Sequence, residues 1–198
     1  MPNHITNRVT VITGDYDLSG VTTFDDAAPM PDALKDVVSD GLIMEVMYLI
    51  EGRVTFSGLL SRHNSDDDKA RIVESIDNFM KYGAVSWYDW SLKNWGTKWN
   101  MYDRDCTDNV LTFDTAWSCP VKWIERFSRT LPNGVELRIE YADEDVGSNA
   151  GVVTLSNQGV HINAYDNDSD EAWLLAIKLK GCGDYYAKVD GKWDYIGG

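Results

Sequence analysis

Long apolar segments are missing from this sequence of 198 residues. The longest apolar run, from Gly41 to Ile50, is too short to cross a bilayer and is interrupted by Glu45. The first residues, MPNHITNRV, lack the basic start and the apolar stretch of a signal peptide. We therefore expect a soluble, cytoplasmic protein.

Cysteines are few, and Cys106, Cys119 and Cys182 form neither a CxxC pair nor a metal-type spacing. Unpaired cysteines in a reducing compartment are usually small buried residues. Cys119 precedes Pro120 at a predicted helix start, where a thiol would have a lowered pKa and a raised reactivity. Packing or capping is nevertheless the favoured role for Cys119.

Basic residues are also scarce, because 18 Lys and Arg stand against 32 Asp and Glu, a net charge of −14 at pH 7. Direct binding to DNA, RNA or an anionic membrane needs a cationic surface, so we expect none of these partners. An acidic surface instead suits a basic protein partner. Hydrophobic residues make up 43% of the chain and aromatic residues 12%, enough for a folded core.

The apolar pattern predicts alternating strands and helices. The clearest helix spans 68–82, where Ser65 and Asp68 resemble a capping box and Gly83 provides a stop. A second helix, 120–131, has one apolar side. The other predicted elements are a strand at 5–13, a helix from 33, strands at 110–114, 135–141, 150–155 and 159–165, a helix or strand at 170–180, and a hairpin at 185–196, while 43–56 fits either two strands or a helix end.

This order of elements predicts the α+β class, with an antiparallel sheet and helices packed on one face. Helices 68–82 and 120–131 should cover that face. Their residues expected in the core are Ile76, Phe79, Ile124 and Phe127.

The segment 87–100, WYDWSLKNWGTKWN, holds four Trp residues and has two interpretations. Large rings favour a core role, because Trp is highly buried on average. The alternative is an aromatic surface that stacks on a base or grips a partner. Gly96-Thr97-Lys98 lacks the spacing of a phosphate-binding loop.

Catalytic and metal-binding motifs are absent from the sequence. His4, His63 and His161 are far apart, and no HExxH or nucleophile elbow accompanies them. The acidic run 166–170 begins like a calcium loop but lacks the required Gly and Glu farther on. We expect no cofactor, no metal site and no enzymatic activity.

Four blocks of the sequence together resemble one family. They are MPNHITNRVTVITG at the start, Pro29-Met30-Pro31 after Phe24-Asp25, YGAVSWYDWSLKNWGTKWN at 82–100, and FDTAWSCPVKWIERFSRTLP at 113–132. The chain resembles the YubB-like family of uncharacterised phage- and plasmid-borne proteins, which contain a ferredoxin-like domain. The resemblance implies this fold and a mobile-element origin, but no established activity.

The resemblance covers about residues 1–155. It implies a ferredoxin-like α+β domain over 1–155 and leaves 156–198 as a C-terminal, β-rich extension, which we expect to pack on the same domain.

Two functional hypotheses remain open. The first is a non-enzymatic inhibitor that binds a basic surface of a host protein in the bacterial cytoplasm. The host protein would be a nuclease or a CRISPR effector. The inhibitor would then be a counter-defence (anti-CRISPR) protein that imitates DNA. Carboxylates in turns would bind this partner, and the chain would act as a monomer or a homodimer. The residues assigned to partner binding are Asp103, Asp105, Asp143, Glu144, Asp145, Asp166, Asp168 and Asp170.

The second hypothesis is a protein that binds a nucleotide or another small ligand, as a sponge or as a hydrolase. Aromatic stacking with one or two cations would suit a nucleotide. The residues assigned to this ligand are Trp95, Lys98, Trp99 and Arg104.

Overall fold

The computed structural model describes residues 3–197, which divide into two compact units. The sheet unit comprises residues 3–28 and 95–197, and the helical unit comprises Pro29–Asn94. The helical unit therefore lies, in chain order, between the first and second strands of the sheet. No described helix is long and apolar enough to cross a membrane.

The sheet unit contains eight described strands and two α-helices. In chain order they are β1 (His4–Thr13), β2 (Tyr102–Thr107), β3 (Val110–Ala116), α6 (Val121–Ser128), β4 (Glu136–Asp143), β5 (Gly151–Ser156), β6 (Gly159–Ala164), α7 (Asp170–Lys180), β7 (Tyr186–Val189) and β8 (Lys192–Tyr195). The five helices of the helical unit are α1 (Asp32–Lys35), α2 (Gly41–Ile50), α3 (Phe56–Arg62), α4 (Asp66–Tyr82) and α5 (Trp87–Asn94).

The main sheet has six antiparallel strands in the order β2-β3-β1-β4-β5-β6. Its inner part, β4-β1-β3-β2, has the strand order of a ferredoxin-like domain, and α6 connects β3 to β4 as in that fold. The hairpin β5–β6 extends the sheet beyond β4, and β7–β8 form a separate two-stranded sheet. The predicted α+β class, antiparallel sheet and β-rich C-terminal part are confirmed.

The sheet carries a helix on each face. Neighbouring residues of a strand point to opposite faces, so Phe113 lies on one face and Val152 lies on the other. On the first face α6 contributes Trp123, whose ring centroid is 6.3 Å from that of Phe113. On the second face α7 packs through Leu175 into a cluster with Val152. The sequence analysis expected helices on one face only, so the packing of α7 on the second face was not predicted.

The helical unit is built around α2, α3 and α4. Ser65 caps α4 as predicted, because its Oγ accepts a hydrogen bond from the Asp68 N–H at 3.0 Å, and Gly83 ends the helix with a φ of 72°. Ile76 and Phe79 are half-buried against the core of this unit, whereas the prediction placed them against the sheet. Helical spacing identifies the buried side of a helix but not the element that covers it.

Strand β2 was not predicted from the sequence, which placed Asp103 and Asp105 in a turn. Asp103 and Asp105 lie in β2, and the turn is formed by Asp108 and Asn109, which both have positive φ. The expected boundary at residue 155 falls at the tip of the β5–β6 hairpin, and β6 completes the sheet.

Candidate functional site

The Trp-rich segment leaves α5 at Asn94, and its next ring enters the core of the sheet unit. Trp95 is 4% exposed, and its Nε1 donates to the carbonyl oxygen of Ala28 at 2.9 Å. Its ring centroid lies 5.7 Å from that of Phe24. Trp95, one of the four residues assigned to a small ligand, is therefore a core residue with no accessible ring.

Lys98 lies between two exposed indole rings. Its Nζ is 4.7 Å from the ring centroid of Trp99 and 4.8 Å from that of Trp117. The two Trp residues are 37% and 42% exposed, respectively. A cation on an aromatic face is attracted by the ring quadrupole, so Lys98 holds both rings at the surface.

Backbone contacts fix the second of these rings. Trp117 follows β3 with a φ of 72°, and its N–H donates to the carbonyl oxygen of Asn3 at 2.9 Å. Its own carbonyl oxygen accepts a hydrogen bond from Asn149 Nδ2 at 3.1 Å. The Trp117 ring therefore projects from a backbone that is fixed by two hydrogen bonds.

Tyr102 continues the aromatic surface onto the sheet. Its ring meets that of Trp99 edge-on, with centroids 6.3 Å apart, and its hydroxyl lies 2.9 Å from His4 Nδ1. Burial, followed by the nearby carboxylates of Asp114, Asp103 and Glu144, raises the pKa of Tyr102 to about 12. The phenol is therefore neutral at pH 7 and can donate a hydrogen bond, but it is a poor nucleophile.

Asp114 lies directly across from Tyr102 in the pairing of β2 with β3. Burial raises the pKa of its half-buried carboxyl and the negative charge of Asp103 adds to this, while a hydrogen bond from Thr6 and the charge of Lys180 oppose it. Three carboxyl groups, those of Asp103, Asp114 and Glu144, thus act electrostatically on Tyr102. We call the set of Lys98, Trp99, Tyr102, Asp103, Trp117 and Glu144 the aromatic–acidic surface.

Six of the eight carboxylates assigned to partner binding are exposed and belong to no ion pair among the described residues. Asp103 and Glu144 are close enough to Tyr102 to act on its pKa. The exposed set is Asp103, Asp105, Glu144, Asp145, Asp166 and Asp168. The structure therefore brings two of the predicted carboxylates, Asp103 and Glu144, into the aromatic–acidic surface.

Asp143 differs from this set because it is 5% exposed. Its Oδ1 accepts hydrogen bonds from the Asp145 N–H at 3.0 Å and from Asn3 Nδ2 at 3.2 Å. Its Oδ2 is 3.4 Å from Asn149 Nδ2, the group that also holds the Trp117 carbonyl. Asp143 was assigned to partner binding, but its carboxylate is buried and bonded within the fold.

Asp170 is also occupied, at the start of α7. Its carboxylate accepts hydrogen bonds from Lys188 Nζ at 2.6 Å and from Trp193 Nε1 at 2.9 Å. These bonds lower the pKa of its carboxyl. Asp170 fastens the β7–β8 hairpin to α7.

Arg104 cannot serve the ligand that the second hypothesis assigned to it. Its Nε donates to the carbonyl oxygen of Val21 and its Nη2 to that of Ser19, both at 2.8 Å. The guanidinium therefore ties β2 to the loop after β1. Trp95 lies in the core and Arg104 is bonded to the backbone, which leaves Lys98 and Trp99 of the four residues assigned to a small ligand.

Cys119 is buried, and this burial raises the pKa of its thiol rather than lowering it. It is consequently a packing residue and not a reactive thiol. Among residues 3–197, no group of three or more His, Cys, Asp or Glu side chains is placed to hold a metal ion.

Sequence reasoning missed Trp117, Tyr102, His4 and Asp114 as members or neighbours of this surface. Tyr102 and Asp114 meet only through the β2–β3 register. The available signal was the Asp108-Asn109 dipeptide, since both residue types tolerate the positive φ of a tight hairpin turn.

Comparisons with known proteins support the fold and name no activity. Residues 94–177 match the family model described as "Ferredoxin-like domain in Api92-like protein". This span includes β2 to β6, α6 and most of α7, and with them all six residues of the aromatic–acidic surface. No curated protein and no solved structure matches the chain.

Proposed function

We propose that this protein is a non-enzymatic binding protein that recognises a basic surface of another protein through its aromatic–acidic surface. The observation that carries the proposal is the position of Tyr102, which touches the exposed Trp99 ring and lies within the field of Asp103, Asp114 and Glu144. Exposed rings beside carboxylates form a complement to Arg and Lys side chains, since both components attract cations.

The arrangement has the chemistry of an interface centre with an acidic rim. Trp and Tyr are the side chains most enriched at binding hot spots, and Trp99 and Trp117 are exposed without forming part of the core. Charged groups at the rim of an interface mainly accelerate association with a partner of opposite charge. Asp103 and Glu144 are suited to this steering role.

The competing hypothesis of a nucleotide ligand has less support. Trp95 is buried and Arg104 is committed to backbone carbonyl oxygens. Lys98 remains as a cation, but neighbouring carboxylates would repel phosphate groups from this surface. The same carboxylates would attract a cationic protein segment.

We further propose the specific role of an inhibitor encoded by a phage or plasmid, acting in the bacterial cytoplasm on a host nuclease or CRISPR effector. Such targets carry basic surfaces that contact nucleic acid. The sheet unit holds 21 acidic against 11 basic residues, so most of the chain's negative charge belongs to the unit that bears the aromatic–acidic surface. The sequence resemblance to phage- and plasmid-borne proteins supports this role.

Capture of partners from a bacterial lysate tests the proposal, followed by binding rates for the purified partner. The double variant Asp103→Asn, Glu144→Gln should slow association several-fold and flatten its salt dependence, because it removes two steering charges. The matched control Glu74→Gln, Asp77→Asn removes two exposed carboxylates from α4 in the helical unit.

The control should leave the association rate nearly unchanged. Equal slowing by both double variants would mean that only net charge matters, which contradicts a localised surface. Binding to a nucleotide that depends on Lys98 and ignores both double variants would favour the competing hypothesis.

A further inference from the structure

The two edges of the six-stranded sheet differ in their protection. The edge strand β2 carries Asp103, Arg104 and Asp105 and has a register shift between Tyr102 and Asp105. Charges and bulges on an edge strand prevent pairing with other chains. The opposite edge strand β6, GVHINA, has no Asp, Glu, Lys, Arg or Pro, and its register with β5 is continuous. In residues 3–197, β6 pairs only with β5.

The surroundings of β6 are unusual for so acidic a chain. Residues 146–165 contain no Asp, Glu, Lys or Arg, although the whole chain has a net charge of −14. Ile162 on β6 is 42% exposed. The neighbouring helix α6 has two basic residues, Lys122 and Arg126, against one acidic residue, so its own charge is not negative.

We propose that β6 pairs antiparallel with β6 of a second copy of this chain, so that one sheet continues through both copies. Two copies of a chain with this net charge repel each other, and a contact that places no carboxylate against another carboxylate avoids the local part of that repulsion. The β5–β6 edge meets this condition. Pairing of a strand with its own copy is also self-complementary about a two-fold axis.

The backbone direction of β6 supplies the donors for this pairing. The N–H of Tyr165 donates to the Ala150 carbonyl oxygen at 2.9 Å, on the side of β5. Because amides alternate along an antiparallel strand, those of Val160, Ile162 and Ala164 point away from β5. These three amides would donate to the second copy, and the Ile162 side chain would be covered by the new neighbour.

Sedimentation analysis over a concentration series tests the pairing with the full chain. The wild-type mass should rise from that of a monomer towards twice that value. Ile162→Glu should weaken the dimer at least about tenfold, because like charges would face each other across the two-fold axis. Thr107→Glu, which adds the same charge to the exposed end of β2, should leave the dimer unchanged.

Two further measurements need no variant. Added salt should strengthen this dimer, since screening reduces repulsion between acidic copies, whereas it should weaken binding to a basic partner. Amide exchange at Val160, Ile162 and Ala164 should slow as concentration rises, while His161 and Asn163, which point towards β5, should stay protected throughout.

A monomer mass up to the solubility limit would overturn the proposal, as would equal weakening by both Glu variants. Protection of the outward amides only after a different protein is added would also overturn it and would indicate strand addition by that protein. None of these results bears on the aromatic–acidic surface, so failure here is separable from failure of the proposed function.

Discussion

Four of the six tryptophans of the sheet unit fall into two groups with opposite environments. Trp95 and Trp123 are 4% and 1% exposed and pack around Phe24, whereas Trp99 and Trp117 are 37% and 42% exposed and hold Lys98 between them. The same side chain therefore stabilises the fold in one group and presents a binding surface in the other. The local backbone decides between these roles, since both groups lie in adjoining segments of the chain.

The largest expected effect comes from the buried group. Trp123 stacks on Phe127 with ring centroids 4.7 Å apart, so Trp123→Ala should lower the free energy of unfolding by about 3–5 kcal/mol, as measured by urea denaturation. The matched variant Trp123→Phe should cost much less, because it keeps an aromatic ring and removes an indole N–H that is buried without a partner among the described residues. Equal losses from both variants would contradict this explanation.

The exposed group should show the reverse pattern. Trp99→Ala should change the free energy of unfolding by about 0.5 kcal/mol or less. In binding to a captured partner, it should cost about 2 kcal/mol, a roughly thirtyfold loss of affinity, if Trp99 is a hot spot. Calorimetric titration of the purified partner measures this loss. An unchanged affinity would show that Trp99 does not contribute to the interface, and it would contradict the proposed role of the aromatic–acidic surface.

This comparison also shows what sequence patterns can and cannot predict. The capped helix α4 and the β7–β8 hairpin at Asp190-Gly191 follow from local signals, and the structure confirms both. Trp95 and Trp99 belong to one motif, and no periodicity separates them, because the chain leaves α5 and turns at Gly96 with a φ of 82°. Exposure in an irregular segment depends on which distant residues cover it.

The neighbours of Tyr102 were equally inaccessible to sequence reasoning. His4, Asp114 and Glu144 come from three other places in the chain, and they meet Tyr102 through strand order and register. Acidic residues in turns were predicted as a group, but the group separates into exposed carboxylates and the buried, hydrogen-bonded Asp143. Whether a carboxylate is available thus depends on the donors around it and not on its sequence context.

Asp143 and Glu144 are adjacent in the chain, but the first carboxylate is buried and hydrogen-bonded whereas the second is exposed. Asp143→Ala should lower the free energy of unfolding by about 1.5 kcal/mol, since it leaves the Asp145 N–H and amide groups of Asn3 and Asn149 without their acceptor. Glu144→Gln, at an exposed position, should be nearly neutral in urea denaturation. A stable Asp143→Ala protein would show that the three donors find other acceptors at no cost.

The smallest expected effect is that of Asp114→Asn, and it depends on pH. Burial, together with Asp103, raises the pKa of the Asp114 carboxyl in the folded state, against opposing contributions from Thr6, Lys180 and His4. A carboxyl whose folded pKa exceeds its unfolded value near 3.8 binds its proton more tightly in the folded protein. Its contribution to stability is therefore complete in acid and is lost as the pH rises above that value.

Replacing the Asp114 carboxyl by an amide should abolish this loss of stability with rising pH. The Tm of Asp114→Asn should equal that of the wild type in acid and exceed it slightly at neutral pH, with the difference kept small because the side chain is only half-buried. Asp105→Asn, at an exposed position of β2, is the matched control and should show no such pH-dependent difference. A lower Tm for Asp114→Asn at neutral pH would mean that the ionised carboxylate stabilises the fold through Thr6 and Lys180. Asp114 would then stabilise the fold through the hydrogen bonds of its carboxylate, as Asp143 does. Part of the negative charge near Tyr102 would in that case serve stability and not partner binding.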